Sequence, residues 1–100
     1  MLIEEAADGI ETVGKVTSFA PDLIFMDIQL HHEDGLRLTR QIKSQHPQIE
    51  IVMLTVFDLP EYRKAAQEYG VQDFVVKGLT PFSEIVALVK FISQKIGKPV

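Results

Sequence analysis

Leu23-Ile24-Phe25-Met26-Asp27 is an apolar run closed by an acid. It shows no period-two alternation, so it does not read as a strand with one wet face. A short continuous apolar run suits a strand covered on both faces, as in a parallel sheet. Two further runs have the same form. Ile49 to Leu54, interrupted only by Glu50, leads to Thr55, and Phe74-Val75-Val76 leads to Lys77. Near the start, Leu2 and Ile3 begin a fourth strand, at an edge.

Helical patterns fill the spaces between these runs. Asp8-Gly9 opens one that continues through Val16 and Phe19. Gly35 to Gln45 sets Leu36, Leu38 and Ile42 among polar residues, with Asp34 as N-cap, and stops before Pro47. Pro60 to Tyr69 places Tyr62, Ala65, Ala66 and Tyr69 on one stripe, and Gly70 suits the left-handed position after a helix. In the last helix Thr80 reads as N-cap and Pro81 as the first helical residue, with Glu84 in the first turn. Ile85, Leu88, Val89, Ile92 and Ile96 then recur at helical spacing until Gly97. Strand and helix alternate four times. That order predicts right-handed βαβ units, hence an α/β fold: an open parallel sheet with helices on both faces.

In a parallel sheet all strands point the same way. Asp27, Thr55 and Lys77 therefore emerge together at the carboxyl edge, where open α/β sheets bind ligands. An acid, a hydroxyl and an amine converging from separate strands suit phosphoryl transfer to a carboxylate. The carboxylate is the nucleophile. The ammonium pairs with the phosphoryl oxygens as a point charge, and the hydroxyl donates to them if its loop brings it close. Such transfer depends mainly on positioning and charge, so few side chains suffice.

Composition sets the outer limits. The chain has 100 residues, 46% of them hydrophobic, which bounds it to one domain, residues 1–100. A net charge of -4 argues against a broad basic face for nucleic acid. There is no cysteine, hence no disulfide frame and no thiolate metal site. No apolar run approaches the roughly 18 residues that span a bilayer. Met1 to Asp8 is acidic, unlike the basic start of a signal peptide. A cytoplasmic location is the expectation.

Several motifs together resemble the response-regulator receiver domain along essentially the whole chain. Pro21-Asp22-Leu23-Ile24-Phe25-Met26-Asp27-Ile28 resembles the segment around that family's phosphorylated aspartate. Asp34-Gly35-Leu36 resembles the turn into the following helix, and Met53-Leu54-Thr55 the strand ending in the switch threonine. Phe74-Val75-Val76-Lys77, followed by Pro81, resembles the strand with the switch aromatic and the lysine. Glu5-Ala6-Ala7-Asp8-Gly9 and Lys77-Gly78-Leu79-Thr80-Pro81 resemble the subfamily that carries a C-terminal helix-turn-helix domain.

The resemblance implies a flavodoxin-like fold and a bacterial phosphorelay switch instead of an enzyme. It makes Asp27 the phospho-acceptor, Thr55 the phosphate contact and switch, Lys77 the phosphate contact, and Phe74 the switch aromatic. It makes Mg²⁺ the cofactor, bound by Asp27 and the backbone carbonyl of Gln29. The implied partners are a sensor histidine kinase, an output DNA-binding domain in the full-length protein, and a second copy in a homodimer. Direct nucleic-acid binding and membrane contact are not implied.

The sequence departs from the family at its beginning. The family's first strand, the acidic pair at its carboxyl end and the first helix have no counterpart, so the expected unit is an N-terminally truncated receiver. Asp27 and one carbonyl make a poor octahedral Mg²⁺ site. The missing strand is normally central, and its loss leaves a gap or a new sheet edge. Truncation is the favoured account, combined with closure of the remaining second strand onto the third or with dimerisation. His31-His32 stands where the family often has Pro-Gly.

Each residue also has a plainer reading. Asp27 caps a turn, Thr55 is a strand-end hydroxyl, Lys77 a surface charge and Phe74 a core ring. His31, His32, Glu33 and Asp34 form a polar loop and not a metal site, and His46 is a loop residue. The stripe from Ile85 to Ile96 is core packing. Glu61, Arg63 and Lys64 are a solvated helix face. Two rival functions remain. One is a pseudo-receiver, an interaction module that is never phosphorylated, for which the missing acids argue. The other is an enzyme with an aspartate nucleophile, such as a phosphatase, in which Gln29 stands where a further catalytic acid would be useful.

Overall fold

The computed structural model describes residues 1–6, 21–28 and 35–100. The expected helix from Asp8 to Phe19, the Asp34 cap, Gln29 and the His31–Asp34 loop lie outside them. The described elements are β1 (Ile3–Ala6), β2 (Leu23–Asp27), α1 (Gly35–Gln45), β3 (Glu50–Thr55), α2 (Pro60–Glu68), β4 (Asp73–Val76) and α3 (Phe82–Ile96).

The strands form one sheet in the order β1-β2-β3-β4, parallel throughout. β1 lies directly against β2, from Ile3 beside Leu23 to Ala6 beside Met26. The gap that a missing central strand would leave is therefore closed. Backbone bonds from Asp22 and Leu23 to the Leu2 carbonyl extend this pairing toward the amino end. Of the alternatives for the N-terminal departure, the structure takes closure of β1 onto β2.

Side chains alternate across the sheet and fill two cores. Ile24, Met26, Ile28, Ile51 and Met53 meet Leu38 and Ile42 of α1 and Ala66 of α2. Leu23, Val52 and Val75 face the other way and meet Ile92 of α3, with Ile85, Leu88 and Val89 around it. Helices thus cover both faces, as continuous apolar runs require. α1 and α2 lie on one face and α3 on the other. Burial explains why β2 and β3 lack alternation: the residues of both parities are inside.

Among the described residues, the helix ends follow the sequence closely except at the start of α3. α1 spans Gly35–Gln45 as expected, and α2 ends at Glu68 with Tyr69 as its C-cap. Gly70 and Gly97 take the left-handed conformation that ends a helix, with φ of 70° and 72°. The correction concerns α3. Its N-cap is Pro81, in extended geometry, with no side-chain cap bond, so Pro81 is not the first helical residue. Thr80 turns back instead, and its Oγ1 accepts from the Val76 N–H at 3.0 Å. The Thr80 N–H donates to the Val76 carbonyl at 2.9 Å. The hydroxyl closes the turn after β4, where it satisfies the last strand N–H.

At the opposite edge the two ends of the chain are tied together. Asp22 accepts from Lys98 Nζ and from the Leu2 N–H, each at 2.8 Å. The Met1 ammonium donates to the Pro99 carbonyl, and the Ser93 hydroxyl to that of Lys98.

Candidate functional site

Strand register sets the heights of the expected residues. Asp27 lies level with Leu54, and Thr55 is level with Val76. Asp27, Thr55 and Lys77 therefore climb by one residue from strand to strand, a step of about 3.3 Å. Two bonds beyond the strands hold this stagger. The Ile28 N–H donates to the Leu54 carbonyl at 3.1 Å, and the Lys77 N–H to the Thr55 carbonyl at 2.7 Å. Lys77 begins two steps above Asp27 and two strands away. Only a long side chain can return across that distance, and Lys77 Nζ does so, to 2.7 Å from Asp27 Oδ2. The bond is charge-assisted. The carboxylate keeps 24% of its surface exposed and the lysine 42%, so the pair is open to solvent.

Parity decides which side chains share a face. Asp27 and Lys77 continue the pleat of Leu23 and Val75, toward α3. Thr55 and Phe74 belong to the pleat of Met53, toward α1 and α2. Thr55 thus reaches the same edge from the other side of the sheet. It is fully buried, and its hydroxyl donates to the Phe57 carbonyl at 2.9 Å and accepts from the Phe57 N–H at 3.1 Å. Both bonds close a tight turn just after β3.

Phe74 is half-buried and packs against the α1–α2 core. The outer face of its ring lies under Arg63, whose Cζ is 4.8 Å from the centroid. Arg63 grips Asp58 with two bonds, Nε to Oδ1 at 2.5 Å and Nη2 to Oδ2 at 3.0 Å. This hydrogen-bonded guanidinium holds the Asp58 carboxyl below its ordinary range, and Arg63 is raised in turn. Arg63 keeps the exposure expected of the face that includes Glu61 and Lys64, and adds this contact with the ring. No sequence signal marks that contact, because it depends on β4 lying beside α2.

Gly35 is a second residue that sequence reading undervalued. It begins α1 against the backbone that carries Asp27: a Cβ there would stand 2.4 Å from Ile28 Cα and 2.9 Å from the Asp27 carbonyl oxygen. The Asp34-Gly35 pair was its only trace in the sequence.

The described donors at this edge are too few for Mg²⁺. Among the described residues, no group of three or more His, Cys, Asp or Glu could hold a metal ion. Asp27 already meets Lys77 through Oδ2, and Gln29 lies outside the described residues. A hard octahedral cation asks for more oxygen ligands than this, so the described donor set does not fit it.

Comparison with known proteins places the chain in a family. The response regulator receiver domain model matches residues 1–90, and the chain belongs to that family. It is 40% identical over 78 residues to the response regulator protein VraR of Staphylococcus aureus, covering 76% of this chain and 36% of VraR. The chain thus spans about a third of the length of the curated relatives it matches. A two-component response regulator from Clostridium difficile superposes with a TM-score of 0.82 at 30% identity, covering 91% of this chain and 74% of that one. The receiver domain of NtrX from Brucella abortus gives 0.78 at 28%, covering 89% and 75%. A DNA-binding response regulator of the LuxR family from Staphylococcus aureus, at 22% identity and a TM-score of 0.75, shares the fold; the match covers 85% of this chain and 70% of that one. Among the described residues no helix is long and apolar enough to cross a membrane.

Proposed function

We propose that residues 1–100 act as one receiver unit, a phosphorylation-controlled switch with Asp27 as acceptor. The donor is the phosphohistidine of a sensor histidine kinase. An Asp27 carboxylate oxygen attacks phosphorus, the P–N bond breaks, and the departing imidazole takes up a proton. The observation that carries this reading is the 2.7 Å pairing of Lys77 with Asp27 at the carboxyl edge. The ammonium already stands beside the nucleophile, close to where charge develops on the transferring group.

Phosphorylation adds about -1.5 to -2 charges at the edge. Lys77 follows the new charge. Thr55 gives up Phe57 to donate to a phosphoryl oxygen, and Phe74 turns into the space it leaves. The phosphoryl group shifts an existing equilibrium, by as much as it favours the rearranged state. In the full-length protein this face controls an output domain that regulates transcription, as the relation to VraR and to LuxR-family regulators supports. The switch is cytoplasmic, does not bind nucleic acid through this domain, and forms a homodimer through its regulated face.

The test is intact mass after incubation with acetyl phosphate, with and without Mg²⁺, beside Asp27→Asn. One phosphoryl adduct, absent in the variant, supports the switch. A second reading has an observation of its own: among the described residues no cluster of three or more His, Cys, Asp or Glu could hold the metal. It makes the chain a pseudo-receiver that only binds partners. No adduct, together with no saturable Mg²⁺ binding up to millimolar concentration, replaces the switch with that module.

A further inference from the structure

Phe57, Asp58, Arg63 and Phe74 form a line of contacts that begins at the Thr55 hydroxyl. The backbone of Phe57 holds that hydroxyl through two bonds. Asp58 follows Phe57 directly and grips Arg63 at both carboxylate oxygens. A two-point fork fixes the plane of a guanidinium as well as its position. The same guanidinium covers the outer face of the Phe74 ring at 4.8 Å. An aromatic face attracts a cation held at that distance. The ring therefore sits between the α1–α2 core and a clamped cation, and the clamp stands on the loop that Thr55 must leave.

We propose that Arg63 is a positioning residue for the switch: held by Asp58, it keeps the Phe74 ring in its resting seat and frees it when Thr55 releases the Phe57 backbone. This rests on the reading of Thr55 and Phe74 as the switch pair. Arg63 acts only through the ring. Loss of the cation favours the turned ring, and phosphoryl uptake then becomes faster. Loss of Asp58 acts in the same direction, because it unfixes the cation. The two losses do not add, since each disables one clamp.

The test uses the whole chain with 4-fluorophenylalanine at its six Phe positions, and Phe74→Leu to assign the resonance. In resting protein, Arg63→Gln should shift the Phe74 fluorine signal, and Asp58→Asn should shift it the same way. Arg63→Lys, which keeps the charge, should restore much of the original position. Acetyl phosphate labelling should run about two- to fivefold faster in Arg63→Gln. A Phe74 signal unmoved in both Arg63→Gln and Asp58→Asn overturns the role of Arg63, whatever phosphorylation does. A signal that moves in Arg63→Gln, but not when wild-type Asp27 is phosphorylated, overturns Phe74 as the switch aromatic and the release step with it.

Discussion

Gly35→Ala tests whether the site is braced by backbone-to-backbone packing. The new Cβ would lie 2.4 Å from Ile28 Cα, 2.9 Å from the Asp27 carbonyl oxygen and 3.0 Å from the Ile28 carbonyl carbon. Ordinary contact begins near 3.4 Å, so the closest pair must separate by about 1 Å. All three neighbours are backbone atoms, and no rotamer change relieves them. The first turn of α1 is itself pinned, because buried Thr39 donates to the Gly35 carbonyl at 2.7 Å. Overpacking of this kind costs about 1–3 kcal/mol, here toward the upper end. Replacing glycine in a helix returns about 0.5–1 kcal/mol. The net loss is about 1–2 kcal/mol, or roughly 5–15 °C in Tm for a domain of this size. Thermal and urea unfolding measure it. Displacement of the Asp27 backbone should also slow labelling by acetyl phosphate, since a 1 Å misplacement can cost about a hundredfold. A variant as stable as wild type would refute the packing argument, and normal labelling in a destabilised variant would refute its link to the site.

Lys77→Met should cut acetyl phosphate labelling of Asp27 at least about tenfold while changing stability by less than about 1 kcal/mol, because the pair is partly exposed. Intact mass and urea unfolding read the two effects separately, and unimpaired labelling would remove Lys77 from the chemistry. Asp22 gives a pH test at the opposite edge. The Lys98 ammonium, helped by the Leu2 N–H, holds its carboxyl below the ordinary 3.8. A depressed folded pKa stabilises above the unfolded value, and that stability is lost as pH falls through the folded one. Asp22→Asn should lower the urea midpoint at pH 7 and flatten its decline below about pH 5; an unchanged slope would contradict the pairing. Thr80→Val should speed hydrogen exchange at the Val76 amide and leave the first amides of α3 unchanged. The reverse pattern would restore Thr80 as a helix cap.

Much was legible from local pattern alone. Apolar runs ending at Asp27, Thr55 and Lys77 announced parallel strands with a polar carboxyl edge. The helical stripes marked α1, α2 and α3 almost to the residue, since burial of one face imposes its period directly on the sequence. Thr80 was misplaced because a hydroxyl before a proline and a helix has two competing acceptor roles. Local sequence does not say which N–H is nearer. Here the end of β4 presents the Val76 N–H, and the turn closes on it.

The sequence by itself determined the alternation of strand and helix, the shared direction of the strands and the residues that end them. These follow from side-chain periodicity and from crossover geometry, both local properties of a chain. Tertiary structure alone decided that β1 closes onto β2 and that Lys77 reaches back across two strands. It also decided that Thr55 shares a face with Phe74 and not with Asp27, and that Arg63 covers that ring. Register and the lateral order of strands set those relations. They join residues far apart in the chain, whose distances no local pattern encodes.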